Sequence, residues 1–76
     1  MILPNKYLTI ENSIMGGGAL ILSNLEKPRT ITSLWEEVRS SPQIEIYSRF
    51  ILILDFLYTI HAITLDNGFI GRANND

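Results

Sequence analysis

Hydrophobic positions along the chain change their spacing several times, and each change predicts a structural boundary. Residues 2–10 set Ile2, Leu3, Tyr7, Leu8 and Ile10 around Pro4 and Asn5 without a helical period, which predicts an extended N-terminal arm over 1–10. From Glu11-Asn12-Ser13 the spacing turns helical. Asn12 or Ser13 can cap, and Ile14, Met15, Ala19, Leu20, Ile21, Leu22 and Leu25 form an apolar stripe, so a first helix should run to about Asn24. Gly16, Gly17 and Gly18 oppose it, each costing about 1 kcal/mol relative to alanine in a helix interior, and leave its start open as far as Gly18.

Glu26-Lys27-Pro28-Arg29 reads as a polar connection and Thr30-Ile31-Thr32 as a short β-branched strand. Ser33-Leu34-Trp35-Glu36 has capping-box spacing for a second helix, with Leu34, Trp35 and Val38 on its inner side and Ser40-Ser41-Pro42 as its stop. A third helix is expected from Tyr47 to Ala62, capped by Ser48 or Ser41. Ile63-Thr64-Leu65, Asp66-Asn67-Gly68 and Phe69-Ile70 then spell strand, tight turn and strand, because Asn-Gly tolerates positive φ. This order predicts a single α+β domain over 1–72, mostly α: a winged helix-turn-helix of three helices with a C-terminal β-hairpin wing, preceded by the arm. Residues 73–76 should fray.

The third helix is the most informative element. At about 100° per residue Phe50, Ile53, Leu54, Leu57 and Ile60 share a core face. Ile51 and Tyr58 flank it on one side and Leu52 and Phe56 on the other, leaving only Ser48, Asp55 and Thr59 as a polar strip. A helix apolar nearly all round must be covered nearly all round, either by the arm and wing or by another protein.

Composition narrows the function classes. The chain has 76 residues, no cysteine, 46% hydrophobic and 18% charged residues and a formal charge of −2, so it is too apolar for disorder and has no disulfide or thiol chemistry. A domain this small commonly leans on a partner. A groove-reading third helix would need clustered cations, yet Arg49 is the only one on that helix and Arg72 the only one near the wing; these two could make at most minor DNA phosphate contacts. The start lacks a signal-peptide pattern, and the apolar run 44–65 is interrupted by Glu45, Arg49, Asp55 and His61. A cytoplasmic, non-membrane protein is expected.

No reacting centre emerges. The triple glycine lacks a P-loop ending, and small residues there suit close packing. His61 reads as a packing residue on the third helix's apolar flank, and one histidine makes no metal site. Glu36 and Glu37 diverge on a helix, and no serine sits in a nucleophile elbow. Trp35 reads mainly as core, with an interface anchor as the alternative, and Asp55 as solvent-facing or paired with Arg49 or Arg29. The expectation is a non-enzymatic chain without metal or cofactor.

The segments Ile2-Leu3-Pro4-Asn5-Lys6-Tyr7, Glu11-Asn12-Ser13, Gly18-Ala19-Leu20-Ile21-Leu22, Leu34-Trp35-Glu36, Arg49 through Tyr58 and Asn67-Gly68 resemble, in this order, the small middle-component proteins of ABC-three-component systems. They are similar in particular to the short type found as the small subunit of Lamassu-like bacterial defence operons. The resemblance implies a winged-helix accessory subunit working with an SMC- or Rad50-like ABC ATPase and a nuclease-type effector against phage or plasmids, with no catalytic residues to carry over. Leu3, Tyr7, Phe56 and Tyr58, with Asp55 and Trp35, are the expected protein contacts. A small DNA-binding regulator and a homodimeric adaptor or antitoxin are the rival classes.

Overall fold

The computed structural model describes residues 6–73, with side chains from Ile14 onward. Its elements are α1 (Lys6–Ser23), β1 (Arg29–Thr30), α2 (Ile31–Val38), α3 (Tyr47–Thr59), β2 (Ile63–Asp66) and β3 (Phe69–Arg72), an α+β arrangement of three helices and one small antiparallel sheet.

The first departure from the sequence-based expectation is at the N-terminus. Residues 6–10 are not an extended arm; they are the first turns of α1. Proline followed by asparagine, ahead of a run free of Gly and Pro, is a helix-start signal as much as a break. The remainder of the expected arm, residues 1–5, lies outside the described residues. Helix α1 also continues through all three glycines, because α3 packs against Gly17 and Gly18 and the segment before it, through Gln43 and Ile44, against Gly16 and Gly17. A Cβ on Gly17 would lie 2.5 Å from Ile53 Cδ1 and 3.2 Å from Ile44 Cδ1. Close helix contact offsets the poor propensity of the segment.

The second departure concerns caps. The strand ends at Thr30 and helix α2 begins at Ile31, with Thr30 Oγ1 accepting from the Ser33 amide at 3.1 Å. Thr30 takes the cap role expected of Ser33 because β1, held against β3, already gives it the extended backbone an N-cap needs (φ −72°, ψ 162°). Arg29 locks the corner, donating from Nε to the Asn24 carbonyl at 2.8 Å and from Nη1 to Ser33 Oγ at 3.0 Å. Neither Ser48 nor Ser41 caps α3, whose N-cap is Ile46. Ser41 is occupied in the α2–α3 turn instead, where its Oγ accepts from the Gln43 amide at 3.3 Å and its carbonyl from the amides of Ile44 and Glu45.

Helix α3 stops at Thr59, three residues before the expected Ala62. The Ala62 amide donates to the Leu57 carbonyl at 2.8 Å and the His61 amide to the Tyr58 carbonyl at 3.0 Å, the paired bonds of a Schellman cap, with His61 in the left-handed position at φ 65°. His61 is therefore an exposed cap residue, not a packing residue on the helix flank. The same stop moves Ile60 out of the core, to 52% exposure.

The sheet order is β1-β3-β2. Asp66 pairs with Phe69 across the expected two-residue turn, whose Asn67 and Gly68 have φ of 53° and 79°. The core gathers Ile21 and Leu25 from α1, Leu34 and Val38 from α2, Phe50, Ile53, Leu54 and Leu57 from α3, and Ile44, Ile63 and Ile70.

Candidate interaction surface

Core packing uses only one arc of α3, and the consequence lies on its outside. The helix is shared between α1, through Gly17 and Gly18, and the sheet, through β2. On the sheet side Ile51 and Tyr58 stand over a mainly apolar groove of about 260 Å³ that is also lined by Ile31, Leu65 and Ile70. On the opposite flank Leu52 and Phe56 lie one helical turn apart and both are exposed. Tyr58 is 56% and Phe56 41% accessible, so these aromatic rings keep much of their area in water. The polar strip separating the two flanks, Ser48, Asp55 and Thr59, faces solvent as expected.

Asp55 contributes to the groove rim, and among the described residues it makes no ion pair. Its two expected partners are engaged elsewhere: Arg49 Nη1 lies 3.3 Å from Glu45 Oε1, and Arg29 Nη1 3.7 Å from Glu37 Oε1. Trp35 is half-buried and packs against the core. Its ring meets Tyr47 edge-on at 5.1 Å and Phe50 at the same distance, with the Arg39 guanidinium 5.6 Å from its centroid. The expected contacts thus separate in space. Phe56, Tyr58 and Asp55 sit on the exposed side of α3, and Trp35 closes the α2–α3 corner. Tyr7 falls within α1 with its side chain outside the described residues, as Leu3 is entirely.

Sequence reasoning missed Ile31, Leu65 and Ile60. Leu65 was within reach, since strand alternation puts it on the same face as Ile63, but only the sheet's position on α3 reveals that this face runs past the core to leave Leu65 57% exposed. A larger depression of about 910 Å³ lies on the hairpin among Pro28, Thr64, Asp66 and Arg72; it mixes polar and apolar walls and shares only Thr64 with the groove under α3.

Among the described residues, cations do not gather near α3. Its one arginine, Arg49, is half-buried and tied to Glu45, while Arg72 is exposed at the end of β3. A phosphate-clamping face needs several free cations together, and the exposed side of α3 instead presents aliphatic and aromatic groups with one carboxylate. Among the described residues no three His, Asp or Glu side chains converge on a possible metal site, and no helix is long and apolar enough to cross a membrane.

Fold and surface together define a small α+β module whose most developed external feature is apolar contact area. The family model for the ABC-three component (ABC-3C) system Middle Component 6 matches residues 3–70, and the chain belongs to that family. Membership makes it an accessory component that works with the other components of such a system. No curated protein and no solved structure matches the chain.

Proposed function

We propose that the chain is a non-catalytic subunit of a bacterial defence complex of the Lamassu-like kind, bridging an SMC-like ABC ATPase and a nuclease-type effector in the cytoplasm. Its role is to couple the state of the ATPase to restraint or release of the effector, acting against phage or plasmid DNA that the ATPase engages. Such coupling requires that the subunit contact its partners differently in the two states. DNA is met only through the complex.

The observation that carries this reading is the pair of exposed apolar flanks on α3, in a chain whose family is named for its place in a three-component system. Ile51, Leu52, Phe56 and Tyr58 are already about half covered, so each gains roughly 1 kcal/mol of apolar burial when a partner covers the rest, and together they form the centre of an interface whose remaining affinity comes from further contacts. The fold supports the same reading. We read the order α1-β1-α2-α3-β2-β3, with β1 paired to β3, as a winged helix with an apolar third helix where a DNA reader would carry cations.

Co-expression with the ABC-type and effector components of its system, followed by purification on a tag carried by this chain, tests the proposal. A complex containing both components is expected. Recovery of the chain by itself, as a monomer, a dimer or bound to DNA, would sink it.

A further inference from the structure

β2 is an edge strand, and hydrogen-bond alternation along the hairpin fixes which of its backbone groups are free. The two-residue Asn67-Gly68 turn makes Asp66 and Phe69 a mutually bonded pair. In an antiparallel ladder bonded and non-bonded pairs alternate, so Thr64 and Gly71 are bonded, while Leu65–Ile70 and Ile63–Arg72 are not. The amide of Ala73 donating to the carbonyl of Ala62 at 2.9 Å continues the same alternation. The N–H and C=O groups of Ile63 and Leu65 therefore point away from β3; Ile63 is only 5% exposed, so Leu65, 57% exposed, is the position where this edge is open.

The side chains at these two positions lie on the sheet face that turns toward α3, where Leu65 and Ile70 line the apolar groove under Ile51 and Tyr58. A strand added at β2 would extend the Ile70–Leu65 row by one more side chain and lay it beside Tyr58. Asp55 is the only charged residue lining that groove and has no cation paired with it among the described residues. The groove thus favours an occupant that brings a basic side chain. A second copy of this chain is a poor occupant, since two copies meeting edge to edge would add a second Asp55 and a second Asp66 and, from β2 itself, no cation.

We propose that β2 and the adjoining groove bind an extended segment of another component of the three-component system, apolar at alternate positions and carrying a Lys or Arg opposite Asp55. The segment joins the sheet as a fourth strand through the outward backbone groups of Leu65. This rests on the accessory-subunit reading above and specifies how one of its contacts is made.

The test is amide hydrogen exchange on the full chain, free and in the co-purified complex with its ABC-type and effector components. The amide of Leu65 is expected to slow by at least about tenfold on assembly. The variant Leu65→Pro should weaken assembly by about tenfold or more while the free chain keeps its circular dichroism, because the lost N–H points outward and makes no bond within the sheet. Thr64→Pro, which removes an amide bonded to β3, is expected to disrupt the hairpin itself. Asp55→Lys should weaken assembly as well. If a stable complex forms and the Leu65 amide exchanges as fast as in the free chain, strand addition is wrong while the accessory role stands. If no complex forms, the accessory role fails and the strand-addition proposal falls with it. Protection of the Leu65 amide in a dimer of this chain alone would overturn the choice of occupant.

Discussion

Gly17 and Gly18 are adjacent in α1, yet alanine should have opposite effects at the two positions. At Gly18 the added methyl would meet Leu57 Cδ2 at 3.4 Å, an ordinary contact, so Gly18→Ala should stabilise the fold by about 0.5–1 kcal/mol through helix propensity. At Gly17 it would be driven against the terminal methyl groups of Ile53 and Ile44, both fully buried; the repacking this forces, about 1–3 kcal/mol, outweighs the propensity gain, and Gly17→Ala should be destabilising. Urea titration of both variants reads the sign directly. His61 offers a third residue-scale check. It occupies the left-handed cap position at φ 65° that favours glycine, so His61→Gly should raise stability by roughly 0.5–1 kcal/mol in the same titration. None of these positions could be ranked from the sequence. A run of three glycines shows its helix cost at every position alike, and only the seating of Ile53 separates Gly17 from its neighbour.

Among the elements, legibility followed the range of the forces that shape them. The inner face of α3 and the Asn-Gly hairpin were readable because each depends on residues a few positions apart. Helix ends were not, because several capping residue types stood in a row and tertiary position chose between them. Thr30 won over Ser33 once β1 had paired with β3, and removing its hydroxyl in Thr30→Ala should cost about 1 kcal/mol, while Ser33→Ala forfeits the Arg29 bond alone and should cost less. Thermal melting of the two variants distinguishes them. The candidate surface divides the same way. The α3 half, with Ile51, Leu52, Phe56 and Tyr58, followed from helical spacing, but the sheet half of the groove required the β2–β3 register and its placement on the helix, which no local pattern encodes.

At the scale of the whole molecule, one small core and one broad apolar exterior coexist. Three arginines of the described part are spent on carboxylates, Arg29 with Glu37, Arg39 with Glu36 and Arg49 with Glu45, and these exposed or half-exposed pairs add little stability. Charge is thus distributed in local pairs, and the α3 side is left to aliphatic and aromatic groups suited to another protein. The most direct test of that account is the affinity of the purified ABC-type component of its own system for this chain, wild type against the Phe56→Asp, Tyr58→Asp double variant. Both rings are substantially exposed in the free chain, so the variant should keep its circular dichroism and melt close to the wild type while binding at least about tenfold more weakly. Equal affinity for a folded variant would contradict the account, because it would mean that the apolar exterior of α3 takes no part in assembly.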